Sequence, residues 1–292
     1  MRHYIQLLRP LQWIKNAFVF PPIFFSNHLL DMDYLMPTLI VFASFCLISS
    51  SIYCFNDLND VEADRQHPKK CHRPIASGKV SVKGGYTMMA VCMVGAFALL
   101  PLVKSINTPY LYIIIGGYWL MNIAYCLRLK QIAILDVSII AISFVMRVLI
   151  GGFAVNIWVS QWLVLMTFLL ALFLGLTKRS DDFSIYEQTG KKPRISITGY
   201  NKEFINEAIA TISAIMMVCY ILYTMSEEVI ARMGSEYLYL TSGWVFVGLL
   251  RYMQKTIVFH QSSSPTKSLV KDHFIQFCII GWIASFFAII YL

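Results

Sequence analysis

Long apolar stretches separated by short polar segments make up most of this chain. An apolar stretch of about 20 residues is long enough to cross a bilayer as an α-helix. On this criterion the pattern predicts nine membrane-spanning helices, at residues 12–30, 35–54, 84–103, 109–127, 132–154, 160–177, 204–225, 237–256 and 273–292. The first is the weakest, because Pro21 and Pro22 interrupt it, and only eight helices cross if that segment is re-entrant.

The composition of the chain is that of a membrane protein. Of its 292 residues 58% are hydrophobic and only 14% are charged, whereas soluble domains carry about 25% charged residues. The two longest polar segments, residues 55–83 and 178–203, are too short to bury a hydrophobic core of their own. We therefore predict an all-α fold, a polytopic membrane bundle of about nine helices that forms a single domain over residues 1–292.

The lysines and arginines fall almost entirely on one side of the predicted spans. Lys104 and Arg232 lie on the other side, and Arg147 lies within a span. Because cytoplasmic loops of membrane proteins carry the excess of Lys and Arg, we expect the amino terminus and both polar segments in the cytoplasm. The formal net charge of +8 therefore reflects topology and gives no reason to expect nucleic acid as a partner. Part of this charge is suited to anionic membrane lipid or a phosphorylated substrate.

Acidic residues are regularly spaced in NDLNDVEADRQHPKKCHRPIASGK (residues 56–79), which follows the second predicted span. If the helix continues into this segment, Asn56, Asp60 and Asp64 share one face, because each step of four residues rotates by only about 40°. Asp57 lies at the edge of that face. Neighbouring carboxylates repel each other unless a cation lies among them, and hard oxygen ligands suit Mg²⁺. We therefore predict a magnesium site at Asn56, Asp60 and Asp64.

Basic residues follow the acidic face in the same segment, at Lys69, Lys70 and Arg73. Such side chains bind phosphate oxygens directly, and we expect these to contact a substrate phosphate. The alternative is a solvated loop whose charges only set the topology. The carboxylate spacing and the adjoining proline-containing basic turn favour the binding site.

The stretch NDLNDVEADRQHPKKCHRPIASG resembles the first aspartate-rich signature of the UbiA superfamily of intramembrane prenyltransferases. That signature is N-D-x-x-D-x-x-x-D followed by R-P-(I/L)-x-x-G. The resemblance implies nine helices around a pocket that opens laterally to lipid, and a diphosphate bound through Mg²⁺ at two aspartate-rich motifs. It also implies that Asp57, Asp60 and Asp64 are the catalytic carboxylates.

The second aspartate-rich motif of that superfamily, D-x-x-x-D, is altered in this chain. After the sixth predicted span the sequence reads GLTKRSDDF, with Lys178 and Arg179 where an acidic residue is expected and Asp181 and Asp182 just beyond. An extra basic pair suggests a substrate with more phosphate than a prenyl diphosphate. We expect Lys178, Arg179 and Asp182 to bind substrate.

Shorter motifs resemble one branch of the superfamily, the decaprenyl-phosphate phosphoribosyltransferases. They are LRPLQWIKN at residues 8–16, NIAYCLRLK at 122–130 and RVLIGG at 147–152. From these we expect Lys15, Asn122 and Tyr125 to contribute to the substrate site. The alternatives are an interfacial anchor for Lys15 and simple packing for Asn122 and Tyr125. Arg147 lies deep within a span, where a cation marks a pocket or a buried partner, and Asp136 is expected to line the site.

The branch resemblance implies transfer of 5-phosphoribose from phosphoribosyl diphosphate to a polyprenyl phosphate of the decaprenyl type, with release of diphosphate. Such a reaction belongs to the synthesis of lipid-linked sugar precursors for the cell wall, in the bacterial cytoplasmic membrane. The nucleophile is already an anion, so no dedicated general base is required.

Two alternatives stay open from sequence. One is a conventional prenyltransferase that moves an isoprenoid from its diphosphate to an aromatic or other acceptor, and Asp181 and Asp182 are compatible with it. The other is a transporter or channel, which is disfavoured because the charges cluster at the predicted cytoplasmic helix ends, whereas transport sites tend to lie at the membrane midplane with inverted repeats. Whether the chain forms a homo-oligomer is also left open.

Overall fold

The computed structural model describes residues 2–66, 70–190, 195–259 and 271–291, and the regular elements within these ranges are all helical. The predicted all-α fold is therefore confirmed. Short 3₁₀ segments connect several of the α-helices, which are α1 (Arg2–Leu8), α2 (Pro21–Phe25), α3 (Met32–Asn59), α4 (Val61–Gln66), α5 (Val82–Leu99), α6 (Thr108–Leu127), α7 (Leu135–Ala154), α8 (Gln161–Thr189), α9 (Lys202–Thr224), α10 (Glu227–Met233), α11 (Ser242–Ile257) and α12 (His273–Tyr291).

Six helices of the described chain are long and apolar enough to cross a membrane, which makes this an integral membrane protein. They are α3, α5 with its 3₁₀ extension to Val103, α6, α7, α8 and α9. Helix α12 is apolar but shorter over His273–Ile289. The predicted count of about nine is thus only approximate.

The first predicted span, residues 12–30, does not form one helix. It consists of a 3₁₀ segment, Pro10–Val19, and the five-residue helix α2. Pro21 and Pro22 lack a backbone N–H, so the preceding helical hydrogen bonds cannot continue through them. The amino-terminal segment is therefore a chain of short helical pieces.

Both segments predicted as cytoplasmic loops are partly helical. Helix α8 continues past residue 177 to Thr189, because no proline or glycine interrupts it before Gly190, which ends it with φ 65°. At the end of α3 the helical hydrogen bonds run on across the junction with α4. The Asp60 amide donates to the Asn56 carbonyl at 3.0 Å, and the Asp64 amide donates to the Asp60 carbonyl at 2.8 Å. The predicted i, i+4, i+8 geometry therefore exists.

The chain forms two compact units, residues 1–130 with 143–159, and residues 131–142 with 160–292. In the first unit α3 packs against α5 and α6, and its core includes Phe45, Ile48 and Ile115. In the second unit α8 packs against α9 and α11 around Phe173, Ile205 and Tyr252. Each unit contains buried charged side chains.

Candidate active site

The first charged cluster lies at the end of α3, where Asp57 is only 2% exposed. Its Oδ1 accepts hydrogen bonds from the guanidinium groups of Arg9 and Arg73. A carboxylate removed from water in this way is costly unless cations and hydrogen bonds compensate it. Arg9 and Arg73 supply that compensation.

Arg73 joins a second carboxylate to the first. The same nitrogen, Nη1, lies 3.1 Å from Asp57 Oδ1 and 2.6 Å from Asp64 Oδ2. Asp64 is also only 2% exposed. The helical junction between α3 and α4 brings these two carboxylates to one face, and the turn that starts at Lys70 places Arg73 between them. Arg9, Asp57, Arg73 and Asp64 are thus linked by consecutive ion pairs.

Asp60 binds a different cation. Nζ of Lys130 lies 2.9 and 3.0 Å from its two carboxylate oxygens, and the amide of Asn59 also donates to it at 2.9 Å. This side chain is partly exposed, at 23%. The Asn56 side-chain oxygen accepts a long hydrogen bond, 3.6 Å, from the Cys126 thiol. The predicted metal ligands are therefore neighbours on the helix but have separate partners.

The donor set of this cluster fits a hard divalent cation, since carboxylate and amide oxygens are the ligands that Mg²⁺ prefers. Within the described ranges, however, no three His, Cys, Asp or Glu side chains are close enough together to hold a metal ion. Each of the carboxylates Asp57, Asp60 and Asp64 is instead bound by an arginine or lysine. The magnesium site stays a prediction.

The second charged cluster is centred on Asp136, at the start of α7, which is 0% exposed. Its Oδ2 accepts hydrogen bonds from Nε of Arg179 at 2.7 Å and from the Ser196 hydroxyl at 2.9 Å. Its Oδ1 accepts a hydrogen bond from the Tyr200 hydroxyl at 2.7 Å. These donors cover the carboxylate of Asp136, and the expectation that it lines the substrate site stays a prediction.

Tyr200 also fixes the backbone before α7. Its hydroxyl oxygen accepts a hydrogen bond from the Ile134 amide at 2.7 Å. Ile134 has φ 70°, an unusual value for a β-branched residue, and this hydrogen bond helps to hold it there. Burial, and next the hydrogen bond donated to Asp136, raise the pKa of Tyr200, so the phenol remains a donor. Gly199 lies against Ala133, where an added Cβ would come within 2.6 Å of the Ala133 Cβ.

The predicted residues of the altered second motif differ in their surroundings. Arg179 is 1% exposed and bridges Asp136 to Asp182, whose Oδ2 lies 2.7 Å from its Nη1. Lys178 is partly buried on the same helix, and Asp182 is 16% exposed. The role of all three in substrate binding stays a prediction, but Arg179 is committed to buried ion pairs.

The remaining predicted site residues have ordinary packing environments. The Asn122 amide donates to the Tyr118 carbonyl at 2.8 Å, and Tyr125 packs against the core of the first unit. Lys15 and Lys70 are partly buried. Lys69 lies outside the described residues. Their proposed contacts with substrate stay predictions.

Arg147 is buried in the first unit among uncharged groups. It donates to the Asn16 side chain at 2.9 Å and the Tyr118 hydroxyl at 2.8 Å, as well as to the Ser143 carbonyl. Its guanidinium also lies 5.1 Å from the centre of the Phe45 ring. These contacts assign Arg147 a structural role, because they connect α7 to the amino-terminal 3₁₀ segment that carries Asn16.

Sequence reasoning did not predict four of the residues in these clusters, namely Arg9, Lys130, Ser196 and Tyr200. Arg9 and Lys130 lie within the quoted motifs LRPLQWIKN and NIAYCLRLK, so the motifs signalled their neighbourhood but not their partners. Ser196 and Tyr200 lie in the stretch ISITGY (residues 195–200), which contains no charged residue. No local signal identifies them as donors to Asp136.

Comparison with known proteins gives consistent results. The sequence model of the UbiA prenyltransferase family matches residues 19–275. The chain is 33% identical to a decaprenyl-phosphate phosphoribosyltransferase of Mycolicibacterium smegmatis, over 98% of this chain and 92% of that relative. It is 27% identical to a protein of the same name from Corynebacterium glutamicum, over 99% and 86%. A UbiA homologue from Archaeoglobus fulgidus, solved with DMAPP and Mg²⁺, shares the fold with a TM-score of 0.71 at 18% identity, covering 99% of each chain.

Proposed function

Since the chain belongs to the UbiA prenyltransferase family, we propose that it transfers 5-phosphoribose from phosphoribosyl diphosphate to a polyprenyl phosphate and releases diphosphate. The relatives named decaprenyl-phosphate phosphoribosyltransferase support this choice of substrates, because their similarity extends over nearly the whole chain. The active site is proposed to face the cytoplasm, in the bacterial cytoplasmic membrane.

The observation that carries the proposal is the pairing of every carboxylate in the first cluster with a basic side chain. Asp57 and Asp64 share Arg73, and Asp60 binds Lys130. A metal diphosphate needs both kinds of group, oxygen ligands for the metal and cations for the phosphate oxygens. The two halves of such a site are already adjacent, each neutralising the other until substrate arrives.

In the proposed reaction the bond from ribose C1 to the diphosphate oxygen breaks, and a bond from C1 to an oxygen of the lipid phosphate forms. Mg²⁺ bound at this site would act as a Lewis acid that stabilises the departing diphosphate. Asp60 and Asp64, with the Asn56 side-chain oxygen, are proposed to hold it. The lipid phosphate is an anion, so no residue has to remove a proton from it.

The basic residues of the first cluster are proposed to bind phosphate oxygens. Arg9 and Arg73 each present a planar guanidinium, which suits phosphate geometry, and Lys130 presents a single ammonium. Contacts from such groups become stronger as negative charge develops on the leaving diphosphate. Asp57 holds Arg9 and Arg73 in position and completes the set of carboxylates.

In the second cluster Lys178 and Asp182 are proposed to contact substrate, while Arg179 positions Asp182. This assignment follows from exposure, because Arg179 is enclosed by Asp136 and Asp182 whereas the side chain of Asp182 is partly exposed. Lys178 is the cation of this motif that stands in place of an expected acid. Its ammonium group would bind either the 5-phosphate of the donor or the phosphate of the lipid.

A conventional prenyl transfer is the second candidate. The name of the family and the solved structures with GPP or DMAPP favour it. It would need only one diphosphate to be neutralised, so it leaves Lys178 without a function. The transporter alternative is disfavoured because the chain belongs to a family of transferases.

The deciding experiment incubates purified protein with phosphoribosyl diphosphate labelled in the ribose, Mg²⁺ and a polyprenyl phosphate, then extracts the lipid. We expect label in the lipid fraction and release of diphosphate in equal amount. Lys178→Ala should raise the KM for one of the two substrates by at least about tenfold, the scale of one lost charged contact. Consumption of a prenyl diphosphate with an aromatic acceptor, without use of phosphoribosyl diphosphate, would replace this proposal by the second candidate.

A further inference from the structure

A third group of charges, which we call the Asp272 cluster, lies where α11 ends and α12 begins. Oδ2 of Asp272 accepts two hydrogen bonds from Arg251, at 3.1 and 3.3 Å. The same oxygen forms an ion pair with Nζ of Lys255 at 3.1 Å. Its Oδ1 accepts hydrogen bonds from the backbone amides of Phe274 and Ile275, both at 3.1 Å, and so caps the amino terminus of α12. Both carboxylate oxygens are therefore already in use.

The Asp272 cluster has more positive than negative charge. Among the described residues Asp272 is the one acid that pairs with these two cations, so one positive charge is left over. Lys255 is only 8% exposed, and two cations at one oxygen repel each other. Arg251 donates a further N–H to the side chain of Gln254. A guanidinium has five N–H donors, which is more than these contacts use. The cluster thus has both the charge and the donors for one anion.

An apolar groove of about 440 Å³ lies between the same helices. Phe274 connects the groove to the Asp272 cluster, because it lines the groove and its ring centre lies 5.8 Å from the Arg251 guanidinium carbon. The groove is open at Gly243, where an added Cβ would meet no atom within 4 Å. Its lining is Leu240, Gly243, Trp244, Val247, Phe274, Phe277 and Cys278.

We propose that this groove and the Asp272 cluster bind one anionic phospholipid, with its phosphodiester on Arg251 and Lys255 and one acyl chain along α11 and α12. Basic groups beside membrane helices bind anionic headgroups in this way, and an arginine fork matches two phosphate oxygens. The single-chain groove takes one tail while the other remains in the bilayer.

Charge matching selects this occupant. An anionic phosphodiester lipid has one net negative charge, which equals the surplus of the Asp272 cluster. A phosphate monoester, such as a polyprenyl phosphate, carries about 1.5 to 2 negative charges near pH 7 and would exceed it. A zwitterionic phospholipid brings its own cation, which would lie near Lys255 and Arg251 and repel them.

The test uses the full-length protein in detergent and measures binding and thermal shift with phosphatidylglycerol and phosphatidylcholine of identical acyl chains. Arg251→Gln removes the surplus charge but leaves the Lys255–Asp272 pair intact. Gly243→Leu fills the groove, and its thermal unfolding without added phospholipid separates loss of binding from loss of the fold. Lys83→Gln, an exposed lysine of the other unit, is the matched control.

We expect the wild-type protein and Lys83→Gln to prefer phosphatidylglycerol, and both site variants to bind it at least about tenfold more weakly. Arg251→Lys, which keeps the charge, should retain most of the preference. Equal binding of the two phospholipids by the wild type, or an unchanged preference in both site variants, would overturn the proposal. Displacement of phosphatidylglycerol by low concentrations of a polyprenyl phosphate would also overturn it and assign the groove to that lipid.

Discussion

Arg179 and Asp136 form an ion pair that is almost completely excluded from solvent, with Nε 2.7 Å from Oδ2 and exposures of 1% and 0%. Such a pair is weak evidence for stability as a whole, since desolvation offsets much of the attraction. Loss of one partner is different, because it leaves an uncompensated charge in the interior. The pair therefore fixes α8 to the start of α7 and makes each partner depend on the other.

We predict that Arg179→Met lowers the free energy of unfolding by about 3–5 kcal/mol, the scale for one partner of a buried pair. Adding Asp136→Asn should restore at least half of that loss, because the amide carries no charge and its oxygen still accepts a hydrogen bond from Tyr200 or Ser196. Denaturant unfolding in detergent measures both variants. Arg65→Met, from an exposed pair with Glu62, is the control and should change little. A double variant less stable than Arg179→Met would contradict this.

The magnesium hypothesis predicts that Asp60→Asn abolishes turnover while the protein stays folded. Asp60 is 23% exposed and its partner Lys130 is 24% exposed, so we expect a stability loss of no more than about 1 kcal/mol. Product formation is measured across a Mg²⁺ titration, alongside thermal unfolding. Glu62→Gln, a nearby carboxylate that is 77% exposed, should retain activity. Near-normal turnover of Asp60→Asn at saturating Mg²⁺ would remove Asp60 from the metal site.

For Arg147 we predict that even the charge-conserving change to Lys is destabilising. An ammonium cannot reproduce the fixed geometry of the hydrogen bonds to Asn16, Tyr118 and the Ser143 carbonyl. The expected loss is about 2 kcal/mol, the scale for leaving buried acceptors unpaired. Thermal unfolding compares this variant with Arg128→Lys, an exposed site. Equal melting temperatures would show that Asn16 and Tyr118 do not depend on the guanidinium.

The pH dependence of stability should reveal Asp272. Burial by itself raises the pKa of this carboxyl, but the Ile275 amide and the Arg251 and Lys255 side chains lower it to about 2, from 3.8. A pKa lowered on folding stabilises the protein above about pH 4, and this contribution is lost as the pH falls toward 2. We expect wild type to exceed Asp272→Asn by about 2 kcal/mol at pH 6, with the difference shrinking at pH 3. A difference independent of pH would contradict the assignment.

Topology can be tested with cysteines on either side of α9, the one candidate span in the described chain between Glu187 and Glu236. Both positions are exposed. Cys71 is the native cysteine that is not buried, so Cys71→Ser provides the background. A membrane-impermeant thiol reagent should label Glu187→Cys from the cytoplasm and Glu236→Cys from the opposite side. Labelling of both from one side would mean that α9 does not cross.

Local patterns in the sequence determined the helices and the acidic face. Hydrophobic length located the six candidate spans, because a transmembrane helix satisfies its own backbone hydrogen bonds and needs no distant partner. The spacing of Asn56, Asp60 and Asp64 likewise depends only on helical rotation, and the hydrogen bonds across the α3–α4 junction preserve it. The prediction from local pattern that was wrong is the first span, because Pro21 and Pro22 interrupt the helix although the segment is hydrophobic.

Only the tertiary structure decided which charges meet. Arg9 reaches Asp57 across 48 residues, Lys130 reaches Asp60 across 70, and Tyr200 reaches Asp136 across 64. None of these separations follows a helical period, so no local pattern could select the partners. A buried carboxylate must be compensated by some donor, and this rule predicts that a partner exists. Its identity depends on how distant helices pack, which is why the sequence did not predict the ion pair of Arg179 with Asp136.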